Sequence, residues 1–265
     1  MSEIPREVHD AVCGMAYAAA GANVIMQLAQ LPIGRAVALS TVDSGRVDKH
    51  PVKRLRTTSA YLAIAMLGDD EERLAMRREV NRQHRQVKAK EPVPYNAFDP
   101  DLQLWVAACL YKGLEDVWAL VYGTPVPDVL YTHGERFGTT LQVPPGRWPA
   151  DRAAFAAYWD AGVATIAMDD VSRPYLQGVA STSFLGPAGR VLAPMSRLLT
   201  VGFLPPPFRD ELGLPWDARR QSAFDRIVQL AGVVTRVSPA PLRQFPFNLY
   251  LADTRRRIRR GTPIV

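Results

Sequence analysis

PDLQLWVAACLYKGLEDVWALVY, residues 100–122, is apolar around most of its circumference when wound at about 3.6 residues per turn. A helix with no polar face belongs in the middle of a domain. Its start is marked: Asp99 offers a capping acceptor, and Pro100 takes the first helical position, where a missing N–H is harmless. Working outward, helical periodicity continues nearly throughout. The spacing predicts helices near 9–31, 52–67, 70–88, 150–167, 170–182, 187–200, 217–236 and 241–259, besides 100–122. Asp69 with Glu72 forms a capping-box pattern at the head of the third of these. Proline-rich connectors punctuate the chain: EPVP at 91–94, GTPVP at 123–127, VPPGRWP at 143–149, PPP at 205–207 and SPAP at 238–241. Strand alternation and internal repeats are absent. The reading is one all-α domain over residues 1–265.

Composition narrows the function classes. A chain of 265 residues with 48% hydrophobic and 22% charged residues is ordinary for a globular protein, and large enough to enclose a cofactor-sized cavity. Two cysteines, Cys13 and Cys109, make no disulfide framework and fit a reducing compartment. The net charge of +6 is concentrated in KHPVKRLR (49–56) and in TRRRIRRG (254–261). Neither run carries interleaved aromatics or a recognition-helix pattern, so nucleic acid is not the expected partner. The arginine-rich C-terminal tail reads as a solvated helix end, with contact to an anionic membrane surface as the alternative. Residues 11–34 carry no charge, yet Asn23, Gln27 and Gln30 interrupt them and Pro32 ends them. A buried helix of small residues is expected there rather than a membrane span. The N-terminus carries Glu3, Arg6, Glu7 and Asp10 instead of the basic start of an export signal, so the expected location is cytoplasmic.

The candidate chemistry lies upstream of the central helix. Met76, Val80, His84 and Val87 fall on one helical face within an otherwise charged segment, so the His84 imidazole points inward. A core histidine bonded to a neighbour and a metal or cofactor ligand both satisfy that placement. Arg54 and Thr58 share a face of the preceding helix, which turns inward through Tyr61, Leu62 and Ala65. An inward guanidinium needs an anion. A protein carboxylate bracing the helix would serve, and so would a cofactor carboxylate such as a haem propionate.

Four stretches then carry a resemblance: GANVIMQLAQLP (21–32), PVKRLRTT (51–58) with R-x-x-x-T, GDDEERLAMRREVNRQHRQV (68–87) with H-x-x-V, and YNAFDPDLQLWVAACL (95–110). In this order and spacing, across residues 14 to 122, they resemble the catalytic domain of the rubber oxygenase (latex-clearing protein) family. That family includes the oxygenase that cleaves a prenyl side chain in mycophenolic acid biosynthesis. LPPPFRDELGLPW (204–216) and APLR (240–243) look like its usual ending. The resemblance implies a helical core similar to a globin arrangement around haem b. His84 would be the axial iron ligand, and Arg54 and Thr58 the residues beside the cofactor. It implies O2 or peroxide as co-substrate and a lipophilic, isoprenoid- or acyl-like small molecule as substrate. The oligomeric state is left open.

Some positions depart from the family pattern. Rubber-cleaving members have a lysine where Thr57 stands and an acidic base upstream, for which this chain offers Asp43; many have a histidine where Ala107 stands. These departures point away from rubber itself. They leave a haem sensor or carrier, or a helical lipid-binding protein, as the non-enzymatic alternative. Among the other histidines, His50 is a second candidate axial ligand, His9 belongs to the N-terminal turn, and His133 in YTHGERFG reads as a loop residue. Glu115 and Asp116 read as a solvated patch, with acid–base work near a cavity as the alternative. No HExxH, clustered Cys/His set or phosphate-binding glycine loop occurs.

Overall fold

The computed structural model describes residues 4–40, 48–85, 87–89 and 93–264. The described chain is all-α. Its helices are α1 (Arg6–Ala11), α2 (Ala16–Leu28), α3 (Leu31–Ala38), α4 (Pro51–Leu67), α5 (Asp70–His84), α6 (Pro100–Tyr122), α7 (Asp128–Thr139), α8 (Arg152–Val163), α9 (Ser172–Ser181), α10 (Gly186–Phe203), α11 (Pro206–Leu212), α12 (Ala218–Val237), α13 (Ala240–Arg243) and α14 (Phe247–Arg260). A 3-10 turn, Ser183–Leu185, joins α9 to α10. After α5, β1 (Lys88–Ala89) and β2 (Tyr95–Asn96) form a minimal antiparallel pair, with Lys88 opposite Asn96 and Ala89 opposite Tyr95.

Helix α6 lies at the centre. It begins where the Asp99–Pro100 pair predicts, with the Asp99 carboxylate accepting from the amides of Asp101 (2.9 Å) and Leu102 (3.4 Å). Its neighbours are α2, α7 and α12. The uncharged stretch 11–34 is the inner partner. Asn23 Nδ2 donates to the Cys109 carbonyl (2.6 Å), Gln27 Nε2 donates to Asn23 Oδ1 (2.6 Å), and Trp105 Nε1 donates to the Met26 carbonyl (3.1 Å). Of the polar residues that argue against a lipid environment, Asn23 thus fastens α2 to α6, braced by Gln27 of its own helix, and Gln30 Nε2 donates to the Gly162 carbonyl of α8 (2.9 Å). Among the described residues no helix is long and apolar enough to cross a membrane.

Several boundaries differ from expectation, each for a packing reason. The 9–31 helix breaks at Gly14, whose amide donates to the Arg243 carbonyl (2.7 Å) and whose α-carbon lies too close to the Phe245 carbonyl for any side chain. Pro32 does not stop a helix; it sits in the first turn of α3. The 241–259 helix is two helices, divided before Phe247. Helix α7 has no counterpart among the predicted elements, because Gly134 and Gly138 suggest a turn. Instead they are contact points: a β-carbon at Gly134 would lie 2.8 Å from the Tyr111 ring, and one at Gly138 3.1 Å from Val143. His133 is therefore a helical residue, not a loop one. The PPP motif opens α11 rather than merely separating helices.

Candidate active site

The site begins at the turn between α4 and α5. The capping box forms as its pattern requires: Asp69 Oδ1 accepts from the Glu72 amide (2.8 Å), and the Asp69 amide donates to Glu72 Oε2 (3.1 Å). Arg255 of α14 locks the same carboxylate from outside, Nε to Glu72 Oε1 at 2.8 Å. The tight turn folds α5 back along α4. The end of α5 then meets the start of α4, which brings His84 to Arg54.

His84 is half-buried, and its Nδ1 is fully enclosed with no hydrogen-bond partner among the described residues. One turn earlier on the same face, Asn81 Oδ1 is in the same condition. Two enclosed polar atoms without partners among the described residues are costly to leave unmet. Burial pulls the imidazole pKa down to about 4, and the positive charge of Arg54 adds to the shift. The ring is therefore neutral at physiological pH and keeps a lone pair to donate.

Arg54 is also partly buried. Burial lowers its pKa, and Tyr175 of α9 acts in the opposite direction. No carboxylate among the described residues pairs with it, so the bracing Arg–Asp pair that the spacing allows is not found there. Asp43 lies outside the described residues. A guanidinium in this setting suits an incoming carboxylate.

Thr58, one turn along α4 from Arg54, opens onto a cavity of about 130 Å³ between α2, α4 and α6. Val24, Leu62, Leu110, Leu114 and Phe137 make much of its wall apolar. Its polar lining is largely committed elsewhere: Tyr17 and Ser59 bond to each other (2.5 Å), and Ser59 donates to the Leu55 carbonyl (2.7 Å). An apolar cavity of this size accepts a benzene-sized group.

The other candidates separate clearly. His50 is exposed at the head of α4, and His9 is exposed on α1. His133 bonds through Nε2 to the Met66 carbonyl (2.7 Å), and burial lowers its pKa to about 4, so it caps the end of α4 as a neutral donor. Both cysteines are buried thiols whose pKa burial raises, as inert core groups. Among the described residues no three His, Cys, Asp or Glu side chains come together to hold a metal ion. Ala107 is fully buried in α6.

Glu115 and Asp116 are not a solvated patch. Glu115 pairs with Lys112 (3.0 Å) and Arg152 (3.6 Å). Asp116 is half-buried, and burial raises its pKa to about 6. A carboxyl whose folded pKa lies above its unfolded value favours the fold below about pH 4 and loses that contribution as pH rises through about 6. Asp116→Asn is therefore expected to stabilise the protein at pH 7 by about 1–2 kcal/mol, discounted for partial exposure, and to be neutral at pH 4. Urea unfolding at the two pH values checks this; an equal effect at both would remove the charge as the cause.

Sequence reasoning missed Asn81 and Tyr175. Asn81 lies three residues before His84 and was open to the same face argument. Tyr175 comes from α9, and no local pattern ties it to Arg54.

The neutral imidazole of His84 thus lies beside an arginine that suits a carboxylate, and Thr58, on the same helix as that arginine, lines an apolar cavity. Residues 6–233 match the family described as ER-bound oxygenase mpaB/B'/Rubber oxygenase, catalytic domain, and the chain belongs to that oxygenase family. It is also 45% identical over 250 residues to uncharacterized proteins of Mycobacterium tuberculosis and Mycobacterium bovis, covering 92% of this chain and 98% of each of theirs. No solved structure matches it.

Proposed function

We propose that this chain is a haem b-dependent oxygenase that oxidises or cleaves a lipophilic small molecule, isoprenoid- or acyl-like, with His84 as the axial iron ligand. The carrying observation is the enclosed, unpartnered Nδ1 of His84 beside Arg54. A lone imidazole falls short of the three or four donors that an isolated metal ion takes from a protein. A porphyrin brings four nitrogens of its own, so the residues present fit this group.

When bound, haem b would supply the iron redox chemistry that activates O2. The chain does the rest. His84 presents a neutral lone pair without first releasing a proton at any pH well above about 4. Arg54 holds a carboxylate such as a propionate, through charge-assisted hydrogen bonds worth roughly 1.5–3 kcal/mol each. Thr58 and the apolar wall between α2, α4 and α6 orient an apolar substrate end and keep water from it. Thr57 and the buried Ala107 offer no basic side chain, which separates this chain from the rubber-cleaving pattern. The whole chain acts as one domain in this reading, in the cytoplasm.

The test is the absorption spectrum of protein expressed with iron and a haem precursor, for wild type and His84→Ala. A Soret band in wild type that is lost in the folded variant is expected, followed by O2 uptake with prenyl or acyl lipids. A folded wild type without the band removes haem from the reading. A band unchanged in the variant moves the ligand elsewhere.

A further inference from the structure

Fifteen large apolar side chains are conspicuously exposed among the described residues, and ten of them belong to one stretch of the chain, from α10 to the start of α14. Three lie on α10: Val191 (81% exposed), Leu192 and Met195. Four lie on α12: Leu230, Val233, Val234 and Val237 (72%). Leu242, Phe245 and Leu249 follow directly. The fold brings them together. Helices α10 and α12 pack on each other and meet edge-to-face at Phe203 and Phe224, the end of one and the early part of the other. At 1.5 Å per residue, Val191 lies about 18 Å along α10 from that contact and Val237 about 20 Å along α12. The exposed residues of the hairpin therefore share one end of it. The next segment turns back there to the start of α2, through the Gly14 to Arg243 hydrogen bond.

The charge of this surface has one sign. Residues 171–209 contain no Asp or Glu, and neither do residues 226–252. Arg190, Arg197, Arg226 and Arg236 are exposed on the two helices, and none forms an ion pair among the described residues. Asp10 of α1 reaches the segment after α12, but it is already paired with Arg243 (2.5 Å). By contrast, the arginine-rich tail is largely spent within the protein: Arg255 is tied to Glu72, and Arg256 and Arg257 to Asp253.

We infer that the α10–α12 face, continued through Leu249, docks this protein onto the surface of a bilayer containing anionic lipids. Exposed apolar side chains accompanied along these helices by the unpaired Arg190, Arg197 and Arg236, on segments without an acid, match an interface where acyl chains lie below anionic headgroups. A second copy of the chain is the poorer occupant. A two-fold interface sets the same arginines against each other, and these segments hold no carboxylate to answer them. The inference stands without the cofactor reading, since it uses no residue of that site.

The test is flotation of the whole chain, haem-loaded where it takes haem, with vesicles of phosphatidylcholine alone or mixed with phosphatidylglycerol. Binding to the mixed vesicles, weakened by salt, is expected. Val191→Ser with Val234→Ser and Leu242→Ser, all at exposed positions, and separately Arg190→Glu with Arg236→Glu, are each expected to lower it at least about tenfold. Unchanged circular dichroism would show both variants folded. No flotation of wild type, or flotation indifferent to both variants, overturns the proposal. So does a concentration-dependent dimer that the apolar variant dissolves while wild type ignores vesicles, which would give the face to a second copy.

Discussion

Tyr111→Ala is expected to cost about 3–5 kcal/mol of folding stability, the largest loss from any single side chain of the central helix. Tyr111 is fully buried, and three rings meet it at steep angles: Phe155 at 5.0 Å, Tyr131 at 5.5 Å and Trp148 at 5.6 Å between centroids. They come from α8, α7 and the connector between those helices, so one ring ties three segments to α6. The neighbouring Gly134 leaves only enough room for the ring as it stands. Truncation opens a cavity that rigid aromatic neighbours cannot close. Arg152 Nη1 donates to the Tyr111 hydroxyl (3.3 Å), and Tyr111→Phe isolates that part, at about 0.5–1.5 kcal/mol. Urea unfolding of both variants checks the pair. A loss under about 1 kcal/mol for alanine would show that the aromatic cluster repacks and that Tyr111 does not tie these segments to α6.

That expectation draws on the part of the fold most legible in the sequence. The 100–122 helix was readable to the residue because Asp99-Pro100 fixes its start, and Gly123, at a φ of 69°, takes the left-handed position that ends it. The Asp69–Glu72 box was readable for the same reason: capping chemistry is local. Helix α7 was not, because a glycine chosen for closeness to the Tyr111 ring has the same letter as a glycine chosen for a turn. The division of residues 9–31 was hidden similarly, since Gly14 answers to Arg243 and Phe245, more than 200 positions away. The candidate site divides along the same line. His84 and Arg54 lie on consecutive antiparallel helices, so helical spacing plus one tight turn predicts that they meet. Tyr175 arrives from α9 by tertiary packing, and the burial of Asp116 depends on neighbours that its own helix does not specify.

His84→Gly is expected to lower haem affinity at least about 100-fold, beyond the 10–100-fold typical of losing a partner in a metal's outer shell. The glycine variant separates two meanings of the same loss. If His84 fills space, its removal loosens the end of α5, and no small base restores it. If its nitrogen binds iron, free imidazole enters the vacated space and returns the Soret band while the glycine remains. Because Nδ1 has no bond among the described residues, no partner of that nitrogen there is left stranded when the ring goes. Imidazole at millimolar concentration is therefore expected to recover the spectrum, and methylimidazoles too wide for the vacated site to recover less. The companion His84→Phe restores apolar bulk without a donor and is expected to fold at wild-type stability or better, since it removes a buried polar ring, and to bind no haem. Rescue by phenylalanine, or failure of imidazole in a folded glycine variant that has lost the band, would return His84 to the core and leave the oxygenase family membership without its proposed ligand.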